Sequence, residues 1–214
     1  VVLEQPQPGD FCCVPISGRV GLLIEAGQWL DGDRFQPYDH AEVYIGQPDD
    51  KAIYGYTVST YPAGQDRQAL PVPPSALPGA LWSSGLIALT PAQRIGIVAW
   101  CTEHQDVRYS WADYAALALH RFGLNDPALR RYIARSDRLI CSQYVDLAYS
   151  VNEVHLFTDG RWPGFVTPAM LAMLLQSKLA ERLPGSAARP RPPVLASPDP
   201  QYCLAACGDA RVPP

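Results

Sequence analysis

His40-Ala41-Glu42-Val43-Tyr44-Ile45-Gly46 is the stretch that decides the fold. It is β-rich and closes on a glycine, so it predicts a strand whose side chains alternate between two faces. His40, Glu42 and Tyr44 then share one face, and Ala41, Val43 and Ile45 share the other. Downstream, Pro48-Asp49-Asp50 is turn chemistry, and residues 52–61 are dense in Tyr, Val and Thr, which predicts a third strand paired with the second as a hairpin. Upstream, Pro8-Gly9-Asp10 turns the chain into Phe11-Cys12-Cys13-Val14-Pro15-Ile16, a run suited to a buried first strand. Residues 20–29 read equally as a short helix or a strand extension. Residues 62–78 hold several Pro and Gly and predict an irregular surface excursion, followed by a strand-like run over 81–89.

Helices are expected on the C-terminal side of these strands. Thr90-Pro91 pairs an N-cap hydroxyl with a proline at the first helical position, and Ile95, Val98, Ala99 and Thr102 form one stripe of the helix that follows. A second helix is expected over 111–121, ending at Gly123. In Arg138-Leu139-Ile140-Cys141-Ser142-Gln143-Tyr144-Val145, apolar positions recur at helical spacing, with Tyr144, Val145, Ala148 and Tyr149 continuing the Cys141 side. Cys141 therefore stands at or near a helix start. Thr167-Pro168 repeats the cap signature for a last helix to about residue 178, and the composition then turns to Pro, Ala, Ser and Arg, as in an irregular tail over 181–214.

Bulk composition narrows the function classes. A charged fraction of 18% with net charge -4 supplies no basic surface for nucleic acid. No apolar run approaches the roughly 18 residues that span a bilayer, so no stable membrane insertion is expected. The six cysteines fit neither a disulfide scaffold nor a zinc pattern; Cys12, Cys13 and Cys101 read as structural, the first two half in and half out of a strand, and Cys203 and Cys207 as a pair close enough to bridge. An exchange motif built on the adjacent Cys12 and Cys13 ranks last, because it lacks intervening residues.

Cys141 is the candidate nucleophile, with a buried Cys on the core face of a helix as the alternative. The first turn of a helix offers free N–H groups and the positive end of the dipole, both of which favour a thiolate. His40 begins a predicted strand, whereas His104, His120 and His155 do not.

Pro8-Gly9-Asp10-Phe11, then His40 to Gly46, then Leu139-Ile140-Cys141-Ser142-Gln143-Tyr144-Val145 resembles the circularly permuted branch of the NlpC-type papain-like cysteine hydrolases, which has YiiX-like and lecithin:retinol acyltransferase-like members. Unpermuted members place the Cys helix before the Pro-Gly-Asp strand and the His strand; here it follows them. The resemblance covers residues 8–180 as one catalytic domain. It implies an α+β papain-like fold, an antiparallel sheet with the nucleophile helix packed on it, and Cys141 and His40 as nucleophile and base. A third polar group on the strand after His is part of the family pattern, yet Tyr54, Tyr56, Thr57 and Ser59 occupy that strand, so Glu42 becomes the candidate, either for orienting the imidazole or for lining the substrate pocket. Tyr109 and Tyr56 are the expected substrate-pocket residues.

The implied reaction is acyl transfer through a thioester, with no metal or organic cofactor. The implied substrate is a small peptide or acyl-amide, from cell-wall peptides to lipid-like N-acyl bonds, in an envelope or secreted setting. Water resolves the acyl-enzyme in a hydrolase and another acceptor in a transferase. The rival from another class is a papain-like binding or scaffold domain without activity.

Overall fold

The computed structural model describes residues 4–16, 37–60, 67–105, 139–159 and 166–183, with the backbone of 108–109 and 138. The chain is mixed α+β. A five-stranded antiparallel sheet runs in the order β4-β3-β2-β1-β5, with β1 Phe11–Val14, β2 His40–Gly46, β3 Tyr56–Val58, β4 Arg67–Ala69 and β5 Leu81–Trp82. A separate parallel pair joins β6 Arg108–Tyr109 to β7 Arg138–Leu139. Helices α1 Pro91–Glu103, α2 Cys141–Ser150 and α3 Pro168–Glu181, with a short 3-10 turn at Pro74–Ala76, complete the described elements.

The alternation of β2 organises the layers. Ala41, Val43 and Ile45 join Phe11, Cys13 and Val58 on the face that packs against Tyr144, Val145, Ala148 and Tyr149 of α2, Ile97 and Cys101 of α1, and Leu171 and Leu175 of α3. Helix α2 is buried almost all round because α1 and α3 flank it on the sheet. The Phe11 and Tyr149 rings meet edge to face at 5.4 Å, a contact worth about 1 kcal/mol beyond area burial. No helix among the described residues is long and apolar enough to cross a membrane.

Pro8-Gly9-Asp10 ties these layers together. Gly9 has φ +93°, and a Cβ there would press on the Arg94 backbone at 3.1 Å, so only glycine lets α1 approach this closely. Its carbonyl accepts from the Tyr149 hydroxyl at 2.6 Å. The fully buried Asp10 carboxylate accepts from Arg94 Nη1 (2.8 Å), the Ser84 hydroxyl (3.0 Å) and the Gln7 N–H (2.8 Å).

Several expected boundaries move. The third strand is confined to residues 56–58, because the Asp49 carboxylate accepts from the Lys51 and Ala52 N–H groups and Gly55 takes φ +83°, turning 49–55 into a compact loop. Part of the expected excursion, Arg67–Ala69, instead adds an edge strand. The run over 81–89 stays extended only for two residues; Phe11 N–H then bonds the Ser83 hydroxyl and Gly85 adopts φ +67°, which bends the chain toward Thr90.

The cap at Thr90 forms as expected, with Gln93 N–H donating to its hydroxyl and Thr90 N–H to Gln93 Oε1. The expected stripe of α1 is not its core face: Ile97 and Cys101 are fully buried, whereas Ile95 is 72% exposed. The Asp10–Arg94 pair and the Tyr144 hydroxyl bond to Cys101 O fix that rotation, which periodicity alone does not. Cys12 and Cys13 point to opposite faces as expected, but both faces are covered and both thiols are fully buried. The last helix starts at Pro168 under a Thr167 cap. The readings at 20–29 and 111–121, His120, Cys203, Cys207 and the tail beyond residue 183 lie outside the described residues.

Candidate active site

Cys141 is the first residue of α2, and Gln143 finishes the helix start by accepting the Ile140 N–H at 3.0 Å. The Ser142 hydroxyl donates to Val166 O at 2.7 Å, which ties the same turn to the segment entering α3. The nucleophile candidate is thus held by its two successors in sequence.

The thiol meets β2 where β3 has ended. β3 stops at Val58, opposite Val43, and strand alternation sends the Ala41 amide toward the place where β3 would continue. There the Ser59 hydroxyl donates to Ala41 O at 2.6 Å, and the Ala41 N–H points at the Cys141 sulfur. Cys141 therefore sits beside the backbone of the residue that follows His40. Val14 pairs with His40 on the other side of β2, so the backbone that carries the imidazole is held in the sheet.

His40 and Glu42 share the face predicted for them, with Nε2 3.5 Å from the Glu42 Oε1 and both side chains buried. Burial lowers the His40 pKa from its ordinary value, and the Glu42 carboxylate pulls against that by favouring the charged ring. Burial also pushes the Cys141 thiol up to about 12; the N–H groups of Ala41, Ser142 and Cys141 favour the thiolate, and the Glu42 charge opposes it. The dipole-and-N–H argument is present in the geometry but is outweighed by desolvation. Cys141 is only 1% exposed, and in this state sulfur and imidazole are both neutral near pH 7.

The backbone of Tyr109 pairs with Leu139, two residues before Cys141; its side chain lies outside what the structure describes. Tyr56 does not reach it. The register sets Tyr56 opposite Gly46, at the other end of β2 from His40, where its hydroxyl is held by Asp49 at 2.8 Å and its ring is covered by the Arg67 guanidinium at 3.4 Å. His104 stacks on Trp100 at the end of α1, its Nδ1 2.8 Å from Trp100 O, and His155 is exposed. Gln143 and Ser59 are the positioning residues that sequence reading passed over; the Gln three places after Ile140 is the capping signal that points to the first.

No family model, no curated protein and no solved structure matches this chain.

Proposed function

We propose that this chain is a papain-like thiol hydrolase of the permuted NlpC type that works through a Cys141 acyl-enzyme, with His40 as base and Glu42 orienting the imidazole. One observation carries the reading: the thiol at the start of α2 lies against the Ala41 N–H, one residue from a histidine whose ring nitrogen is 3.5 Å from a buried carboxylate. Two chain segments, β2 and α2, must converge to make that arrangement, and none of the three groups belongs to the apolar cluster between sheet and helices.

The resting pair is a neutral thiol and a neutral imidazole, so proton transfer accompanies attack. With Nε2 directed to Glu42, Nδ1 takes the Cys141 proton as sulfur bonds the substrate carbonyl carbon. The imidazolium that forms is stabilised by the Glu42 carboxylate, as in other nucleophile–base–acid arrangements. Collapse breaks the carbonyl bond to the leaving nitrogen or oxygen, which takes the proton from His40. Water then adds to the thioester, the C–S bond breaks, and the thiol recovers its proton. The N–H groups that surround the sulfur are also suited to hold the transient oxyanion.

The test is acyl trapping. The protein and Cys141→Ala are incubated with the p-nitrophenyl ester of N-acetylalanine, and intact mass and nitrophenol release are followed. An adduct on Cys141 with release that Cys141→Ala lacks supports the reading. Equal release by both proteins without an adduct overturns it in favour of an inactive scaffold.

A further inference from the structure

Two buried polar groups on the His40 face of the sheet have no hydrogen-bond partner: the Trp82 indole Nε1–H and the Thr57 hydroxyl. Their placement follows from the register. Trp82 pairs with Cys12, and Cys12 with Glu42, so Trp82 and Glu42 stand in one row on either side of a small residue. Thr57 pairs with Tyr44, and the Tyr44 and Trp82 rings meet edge to face at 6.2 Å, so all four lie on one face. Trp82 is 7% exposed and Thr57 fully buried.

Buried donors without partners are rare in native chains, because each has given up water for nothing. Phenylalanine at 82 and valine at 57 fill nearly the same space without that penalty. The opposite face of the sheet follows the economical pattern, with Phe11, Ala41, Val43 and Val58 against the helices. The Trp82 and Thr57 groups both lie on the face that also bears His40 and Glu42; the Thr60 hydroxyl, past the end of β3, is a further buried group without a partner.

We infer that this face is a recognition site for an uncharged, amide-bearing acyl group, in which Trp82 Nε1–H donates to one carbonyl and the Thr57 hydroxyl bonds a second peptide unit. An indole N–H only donates, so its partner is an acceptor. Glu42 projects from the same row, its backbone two strand spacings or about 10 Å from that of Trp82, so a neutral carbonyl is preferred to a carboxylate or phosphate. A hydroxyl both donates and accepts, which suits either edge of an amide. Three strand spacings separate the Trp82 and Thr57 backbones, about 14 Å, and the indole spans part of that distance toward Tyr44; two or three extended peptide units cover the remainder. A hydrocarbon chain satisfies neither group. The inference rests on the proposed acyl-transfer reading for its orientation, with the scissile bond at the His40 end.

The experiment is equilibrium binding by NMR titration to the full chain carrying Cys141→Ala, using N-acetyl-trialanine amide and, at matched length, N-methyldecanamide. The peptide is expected to bind more tightly. Trp82→Phe is expected to weaken the peptide by about tenfold and Thr57→Val by about fivefold, with the alkyl amide unaffected. Urea denaturation supplies the control: Thr57→Val is expected to hold or raise stability, since it removes an unsatisfied hydroxyl. Peptide affinity unchanged in both variants, equal or tighter binding of the alkyl amide, or binding of neither probe overturns the site. Peptide binding that responds to both variants without Cys141-dependent turnover in the wild-type chain leaves the site standing and sinks the catalytic reading; turnover with unresponsive binding does the reverse.

Discussion

The sulfur of Cys141 lies against the backbone N–H of Ala41, the residue after His40. This contact exists because β3 leaves β2 after Val58, which frees the Ala41 amide from strand pairing. Ser59 takes the carbonyl and Cys141 the N–H, so a break in the sheet becomes the socket for a side chain from a helix. Four of the features that matter to the site, the end of β3, Ser59, Ala41 and the cap of α2, are backbone geometry or hydrogen bonds to backbone groups rather than reactive groups.

Burial of that socket makes the thiol quiet toward alkylation. With the Cys141 pKa pushed up to about 12, the thiolate fraction at pH 8 is roughly a thousandfold below that of an ordinary thiol of pKa about 8.5. Iodoacetamide is therefore expected to label native Cys141 far more slowly than the urea-unfolded chain at pH 8, with a rate that climbs tenfold per pH unit up to pH 10. Peptide mass spectrometry reads the site; native labelling at pH 6 faster than that of the unfolded chain contradicts it. The same shift bears on stability: a raised thiol pKa contributes stability that is intact below about 8.5 and drains away as pH rises toward 12. The urea midpoint should fall between pH 8.5 and 11, and less steeply in Cys141→Ala.

Glu42→Gln tests the orienting carboxylate through a pH profile. Glu42 favours the charged His40 ring, whereas burial disfavours it. Without the carboxylate the His40 pKa drops further, so the acid limb of kcat/KM moves to lower pH. The imidazolium formed during attack also loses its counter-charge, and kcat is expected to fall by about tenfold to a hundredfold. A fall in kcat with an unmoved acid limb points to lost packing instead, and an unchanged kcat removes Glu42 from the machinery.

The sequence makes β2 legible because a strand with one packed face must alternate, and that alternation pairs His40 with Glu42 as the structure has them. The starts of α1 and α3 are legible for a similar reason, since Thr-Pro is local chemistry. What fails is whatever depends on distant partners. The exposed side of α1 is chosen by Asp10 and Tyr144, more than 40 residues away from their contacts, so its own periodicity misleads. Tyr56 looks like a pocket residue in a strand read from 52 to 61, but Asp49 and Arg67 claim it at the far end of the sheet. Desolvation of Cys141 is equally invisible, because a helix start in sequence does not say how deeply it is buried.

Asp10 is expected to be structural. Its carboxylate is fully buried and joins Arg94, Ser84 and the Gln7 N–H. Asp10→Ala strands those donors and leaves Arg94, itself partly exposed, beside an empty site, for a loss of about 2–4 kcal/mol. Urea denaturation at pH 7 measures it. A loss under 1 kcal/mol means that the Pro-Gly-Asp turn holds α1 without its carboxylate.

Gln143 is expected to act on the site through the helix start. Its Oε1 accepts the Ile140 N–H at 3.0 Å, and Gln143 itself is buried. Gln143→Ala leaves that N–H without its acceptor and lowers stability by about 1–2 kcal/mol, the scale of a lost cap. Because Cys141 and Ser142 form the turn that this cap closes, and both their N–H groups point at the sulfur, the turn loosens where the thiol is held. Activity should therefore fall more than the folded fraction does, and Gln143→Glu, which keeps an acceptor, should recover most of the stability. If Gln143→Ala destabilises the chain while kcat per folded molecule is untouched, the cap holds α2 in place without holding the nucleophile.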